Sequence, residues 1–389
     1  MSIIVSVVEE SRSLVIKWDD GAISRFHYIW LRDNCYCERC GETLVGVRFL
    51  RVHDIDLDVK PQCVRVDEKG CLLVVWRANG HESFYEAGWL KAHCYSAESR
   101  ERRRHRPILW GAEIMASLPW FEASALLEDE RERMSFLESV RDRGFAMLRG
   151  VGLDWPALST VVRLAGPVQH GVYGPGAFEL NPASSRRIIG NTHHGVPPHT
   201  DEGYWQHPSG IIFITCDVPS ADGEGASVLV DGFKVAQRLR VDDSEAFELL
   251  SSVSTQFHRV HPGEMDLRAI GRVLCLDSDG ELVGVRYPSR NAAPLDVPEH
   301  IVEPMYRALW QWSAAINDPA NIMRVRLAHG ECMVFDNHRV FHGREAFTGE
   351  RRMLLTSVNR QDFHSTVRVL ATRLGREGYD RRLPAGVGH

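Results

Sequence analysis

Pro197-Pro198-His199-Thr200-Asp201-Glu202 sets an imidazole and a carboxylate two positions apart. On an extended chain, residues i and i+2 share a face, so both groups aim at one point. Such a pair is common by chance and gains meaning only from a third donor. That donor is offered far downstream by Val334-Phe335-Asp336-Asn337-His338-Arg339-Val340-Phe341-His342-Gly343-Arg344. His342, on a strand-like run, is the first choice. His338, four residues earlier in a turn-like segment, is its rival.

Two imidazoles and one carboxylate on one face leave coordination positions open, the arrangement of non-haem iron(II) oxygenases. Arg351 and Arg352 follow at the start of another strand-like run. A guanidinium there binds the far carboxylate of a keto-diacid as a bidentate pair, which an ammonium cannot. Adjacent strand residues face opposite ways, so only one of the two arginines serves.

Working outward, apolar runs bounded by turn signals predict strands at Ile211–Cys216, Val228–Asp231, Val273–Asp277, Glu281–Tyr287, Met323–Leu327, Cys332–Phe335 and Met353–Val358. Helical periodicity predicts helices over Ala123–Arg143, Phe233–Arg240, Asp243–Ser252 and Pro304–Ile316. Many short strands with a few helices, without regular alternation, point to a mainly β fold: an antiparallel barrel or jelly roll with helical decoration. Upstream, residues 3–94 read as a second, smaller β domain, with strands at Ser13–Trp18, Leu44–Val52, Cys63–Val66 and Leu72–Trp76. The charged run Ser99–Arg106 has little to bury and reads as a linker. The expected organisation is therefore residues 1–98, a linker over 99–110, and a larger domain over 111–380.

Composition agrees with two soluble domains. Of 389 residues, 44% are hydrophobic and 25% charged, and the formal charge is -6. That charge gives no reason to expect nucleic acid or an anionic membrane as partner. The apolar start, without a basic lead, reads as a strand rather than a signal peptide. Nine irregularly spaced cysteines argue against a disulfide framework and for a reducing, cytoplasmic setting.

Three of those cysteines crowd into Trp30-Leu31-Arg32-Asp33-Asn34-Cys35-Tyr36-Cys37-Glu38-Arg39-Cys40. A closed zinc site takes four ligands in a tetrahedron, and the Cys37–Cys40 spacing lets one turn present two sulfurs. His81 is the candidate fourth ligand, with His53 and His93 as competitors.

This segment, with Gly88-Trp89-Leu90-Lys91-Ala92-His93, resembles the N-terminal domain of γ-butyrobetaine hydroxylases. There three cysteines and one histidine hold zinc, which implies Cys35, Cys37, Cys40 and His81 here. A site closed by four protein ligands is structural and helps a small domain fold. The larger part resembles the 2-oxoglutarate oxygenases of the taurine dioxygenase and γ-butyrobetaine hydroxylase group, whose core is a double-stranded β-helix. Val358-Asn359-Arg360-Gln361-Asp362-Phe363 is similar to that group's Val-Asp-Arg-Asp-Asp-Phe; counting back from it selects Arg351 as co-substrate arginine, then Arg352. Gly223–Phe233 is similar as well, which implies that Ser227 contacts 2-oxoglutarate, with Asn191 a further contact. The resemblance implies iron(II) held by His199, Asp201 and His342. Oxygen and 2-oxoglutarate are then co-substrates, and the reaction is hydroxylation of an unactivated carbon coupled to succinate formation. It also implies a homodimer.

Members that act on trimethylammonium compounds surround the cation with aromatic rings. Tyr173, Phe178, Tyr204 and Trp205 are the candidates here. The chain departs from the γ-butyrobetaine pattern at Gly190-Asn191-Thr192 and at Ser357. Where that family uses asparagine for the substrate carboxylate, this chain carries Val285-Arg286-Tyr287-Pro288-Ser289-Arg290-Asn291. Arg286 and Arg290 suit an anion of higher charge. The expected substrate is therefore a small zwitterion, 2-(trimethylammonio)ethylphosphonate, hydroxylated beside phosphorus. γ-Butyrobetaine, giving carnitine, is the alternative, and a non-catalytic binding protein on the same fold is a remote one.

Overall fold

The computed structural model describes residues 2–42, 44–170, 176–184, 188–220, 223–287 and 289–376. The chain divides into two compact units, one ending at His105 and the next beginning at Arg106. Part of the expected linker is helical. Ala97–Arg102 forms a short helix because the Ser96 hydroxyl accepts from the Ser99 amide at its start.

The first unit contains two three-stranded antiparallel sheets, Ile4–Glu9, Ser13–Trp18, Ile23–His27 and Pro61–Val66, Leu72–Trp76, Glu82–Tyr85. Alternation buries Leu14, Ile16 and Trp18 from one sheet and Leu72, Val74 and Trp76 from the other in one core. Leu44–Val52 departs from expectation: only Val47–Arg48 is strand. Leu44, Val45 and Phe49 face solvent, so the apolar run has no buried face to organise it.

The second unit is a jelly roll of two sheets. The larger runs Phe178–Leu180, Arg352–Val358, Ile211–Val218, Cys332–Asp336, Phe145–Arg149, Trp120–Glu122. The smaller runs Val196–His199, Val340–Arg344, Ser227–Asp231, Ile322–Val325. Met147, Ile212, Ile214, Met333 and Phe335 of the larger sheet meet Leu229, Met323 and Val340 of the smaller in a shared core. The opposite face of Ile211–Val218 carries Ile211 and Phe213, which pack against Phe136, Leu137 and Phe363 from the helices Glu130–Arg143 and Arg360–Arg373. Its first four residues, Ile211–Ile214, are all apolar because both faces are covered there.

Two departures are local. The run expected as one helix over Ala123–Arg143 breaks at Asp129, whose carboxylate caps the second piece by accepting from the Arg131 amide at 2.7 Å. The hairpin Thr255–His261 with Met265–Gly271 and the helix Arg360–Arg373 were not signalled by periodicity. Among the described residues no helix is long and apolar enough to cross a membrane.

Candidate active site

His199 ends its strand directly opposite His342 in the antiparallel register. Their rings lie 4.4 Å apart. Asp201, just past the strand end, reaches both: Oδ1 is 3.2 Å from His199 Nε2 and Oδ2 is 3.4 Å from His342 Nε2. The three donor atoms form one of two metal-capable clusters among the described residues.

The surroundings fix these groups. The Pro197 carbonyl lies 2.9 Å from His199 Nδ1, which places the ring proton there and leaves Nε2 its lone pair. Asn337 holds Asp201 through both backbone atoms: its Oδ1 accepts from the Asp201 amide at 2.8 Å, and its Nδ2 donates to the Asp201 carbonyl at 3.1 Å. Burial, followed by the positive charge of His342, pushes the His199 pKa down to about 4, so the ring is neutral. Burial opposes ionisation of Asp201, yet His342 and His199 hold it well below the usual carboxylate range. A neutral His199 imidazole and an ionised Asp201 carboxylate, with the His342 ring beside them, form the two-histidine, one-carboxylate donor set that iron(II) takes. His338 does not join them; it is buried elsewhere, with Nε2 3.3 Å from the Pro208 carbonyl.

The cluster opens into a cavity of about 580 Å³. Arg351 and Ser227 line it, and Arg351 Nη2 is 3.4 Å from Ser227 Oγ. Phe178, Tyr204 and Arg290 line it as well. Burial, then the neighbouring charges of Arg351 and Arg290, lower the Arg344 pKa to about 10. Glu202, another lining residue, has φ of 56°, and its carboxylate accepts from the Ser209 amide and hydroxyl.

Other expected residues lie elsewhere. Arg286 is a correction: it does not line this cavity, because its guanidinium is buried and donates to the carbonyls of Gly203 and Trp205. Arg352 points to the opposite side of its strand and pairs with Asp217. Asn191 turns its carboxamide oxygen to the Asn181 amide at 3.0 Å, and the preceding Ile188, Ile189 and Gly190 line the cavity in its place. Trp205 is not a lining residue, and neither is His193, whose Nε2 lies 2.9 Å from the Gly349 carbonyl. Tyr173 falls outside the described residues. Sequence reasoning missed Arg344, although alternation from His342 would have found it. It also missed His258, Arg259 and His261, which carried no signal beyond a cluster of basic residues.

In the first unit, the helix Tyr28–Asp33 delivers the cysteine loop, and His81 precedes the strand Glu82–Tyr85. Sγ of Cys35, Cys37 and Cys40 lies 3.4, 3.5 and 3.4 Å from His81 Nε2. A tetrahedral zinc with the usual Zn–S and Zn–N bond lengths has S···N edges of about 3.5 Å, so the four donors fit zinc. Burial pulls the His81 pKa down and keeps the ring a neutral ligand. His53 is exposed and pairs with Asp54, and His93 stacks on Trp89; neither joins the cluster.

Residues 101–357 match the family model described as taurine catabolism dioxygenase TauD, TfdA family, and residues 5–91 match gamma-butyrobetaine hydroxylase-like, N-terminal. The chain belongs to the TauD, TfdA dioxygenase family and is an iron(II)- and 2-oxoglutarate-dependent dioxygenase that also carries a zinc-type site. It is 31% identical over 376 residues to the gamma-butyrobetaine dioxygenase of Pseudomonas sp. (strain AK-1), covering 95% of this chain and 97% of that one. It is 30% identical over 393 residues to the trimethyllysine dioxygenase of Meyerozyma guilliermondii, covering 96% and 97%. A crystal structure of AAD-2 in complex with Mn(II) and N-oxalylglycine shares the fold, with a TM-score of 0.50 at 12% identity over 65% of this chain and 97% of that one.

Proposed function

We propose that this dioxygenase hydroxylates an aliphatic carbon of a small trimethylammonium zwitterion bound beside His199, Asp201 and His342. The observation that carries the reading is the composition of one cavity. It joins the three-donor cluster to a buried arginine, an aromatic wall and a cationic rim.

In this reading His199, Asp201 and His342 hold the iron, and Arg351 takes the far carboxylate of 2-oxoglutarate beside the Ser227 hydroxyl. Bound iron, with 2-oxoglutarate and oxygen, supplies the oxidising power that an unactivated C–H bond demands. The chain's own part is positioning. Asn337 fixes the Asp201 backbone, the Pro197 carbonyl sets the His199 tautomer, and Ile214, Met333 and Leu355 keep the cavity wall apolar.

A quaternary ammonium cannot donate a hydrogen bond and is held best over π faces. Phe178 and Tyr204 offer such faces. The names of the two relatives support that end of the substrate, and γ-butyrobetaine is the first candidate. A second candidate, 2-(trimethylammonio)ethylphosphonate, is favoured by Arg259, Arg290, His258 and His261 in the same wall, since a phosphonate carries nearly two negative charges. The test is anaerobic loading with iron(II) and 2-oxoglutarate, then oxygen and a panel of trimethylammonium acids and phosphonates, read by mass spectrometry. One added oxygen on a trimethylammonium compound, coupled to succinate, is expected. Succinate formation that none of the panel stimulates would overturn the reading.

A further inference from the structure

Arg286 is 4% exposed, and its contacts are carbonyls and a ring rather than a carboxylate. Nε donates to the Gly203 carbonyl at 2.9 Å, Nη2 to the Trp205 carbonyl, and Nη1 approaches the Ile270 carbonyl at 3.5 Å. The guanidinium lies over Phe257 with 5.1 Å to the ring centroid. Phe257 and Ile270 belong to the hairpin, so one planar group ties the hairpin to the turn that follows Asp201.

The two carbonyls flank Tyr204. A rigid fork bonded to the Gly203 and Trp205 carbonyls fixes the peptide before Tyr204 and the peptide after Trp205, so the turn is gripped on either side of the tyrosine. At the other end of the ring, Arg259 Nη1 is 3.2 Å from the Tyr204 hydroxyl. Tyr204 is thus held at its backbone by Arg286 and at its tip by the hairpin, and its ring forms cavity wall.

Two observations set Arg286 apart from ordinary packing. A buried cation costs more to desolvate than a hydrocarbon of the same volume, so filling space does not call for arginine. Gly271, in the facing strand, leaves room for it: a Cβ there would sit 2.3 Å from Arg286 Nη1. Gly271 has no positive φ, so the backbone does not require glycine at that position.

We propose that Arg286 is a positioning residue for the substrate, acting through Tyr204 by clamping the Gly203–Trp205 turn against the hairpin. The proposal rests on the reading that the substrate occupies this cavity. It separates Arg286 from Arg351: the first governs how the substrate sits, the second how the co-substrate does.

The test uses the full-length protein with Arg286→Lys, which keeps the charge but loses the fork, and Gly271→Ala, which leaves Arg286 in place but displaces it. Both variants are expected to raise the KM for the hydroxylated substrate about tenfold or more, as small misplacements do. They should also release more succinate per product formed, with the KM for 2-oxoglutarate and the iron content unchanged. Backbone amides of residues 203–205 should exchange hydrogen faster in both variants, a readout that needs no substrate. Unchanged exchange, or a loss of iron and 2-oxoglutarate affinity as large as the loss for substrate, would overturn the proposal. If the wild type turns over no compound of the panel, the substrate reading falls and amide exchange alone decides the role of Arg286.

Discussion

Arg351 and Arg352 are adjacent and chemically identical, yet one is buried in the cavity wall beside Ser227 and the other pairs with Asp217 on the far side of the strand. Alternation required that they part, but nothing in the sequence told which would turn inward; resemblance chose Arg351. Arg286 and Arg290 were equally legible as cations and equally ambiguous in direction. Arg286 leaves the end of the strand Leu282–Val285 and is drawn into the interior by backbone carbonyls, which no side-chain pattern announces. Losing a charged bidentate contact costs roughly 1.5–3 kcal/mol, or about 10- to 100-fold. Arg351→Lys should therefore raise the KM for 2-oxoglutarate by that factor, while Arg352→Ala leaves it within about twofold. Steady-state kinetics with 2-oxoglutarate as varied substrate checks both, and equal effects from the two variants would reverse the assignment.

The tight turn Asp336–Arg339 joins the larger sheet to the strand that carries His342, and it buries titratable groups. Asp336 accepts from the His338 amide at 2.9 Å and from Arg360 Nε at 3.1 Å. Burial, then the Arg360 charge, pushes the His338 pKa down to about 4. An unfolded histidine titrates near 6.5, so between about pH 6.5 and 4 the unfolded chain binds a proton that the native turn refuses. Stability from this group is full above about pH 6.5 and falls as pH drops toward 4. With a tenfold change in proton affinity worth about 1.4 kcal/mol, the loss approaches roughly 3 kcal/mol. Unfolding of His338→Gln by denaturant should show a visibly shallower pH dependence across that window; an identical slope would remove His338 as the cause. The strand before this turn was legible because Cys332–Phe335 is an apolar run, and the strand after it because His342 was read as a metal donor. The hairpin Thr255–Gly271 was not, because exposed and half-buried residues alternate along it with little fully buried surface.

For the molecule as a whole, the close-spaced parts of the two metal clusters, Cys35–Cys40 and His199–Asp201, were legible, while the distant donors His81 and His342 were selected from rivals by resemblance and strand pattern. The Cys35, Cys37, Cys40 and His81 cluster joins the loop after one helix to the edge of a separate sheet within the N-terminal unit. Loss of zinc through Cys37→Ser should therefore split thermal unfolding, with an early transition from that unit weakened by a few kcal/mol. Iron content should hold in this variant, because the iron donors lie in the other unit and no chelator is present. Calorimetry with metal analysis checks this, and a single unshifted transition would deny the zinc a structural role. The far wall of the cavity has a different standing. His258, Arg259 and His261 come from a hairpin that belongs to neither sheet of the jelly roll, whereas His199 and His342 are strand residues of the smaller one. Mutations that accumulate in that hairpin leave the strand register behind the reaction centre untouched. On the proposed reading, in which this wall meets the substrate, a lineage built on this scaffold changes its nutrient by exchanging a single ribbon and inherits its oxidative capacity intact.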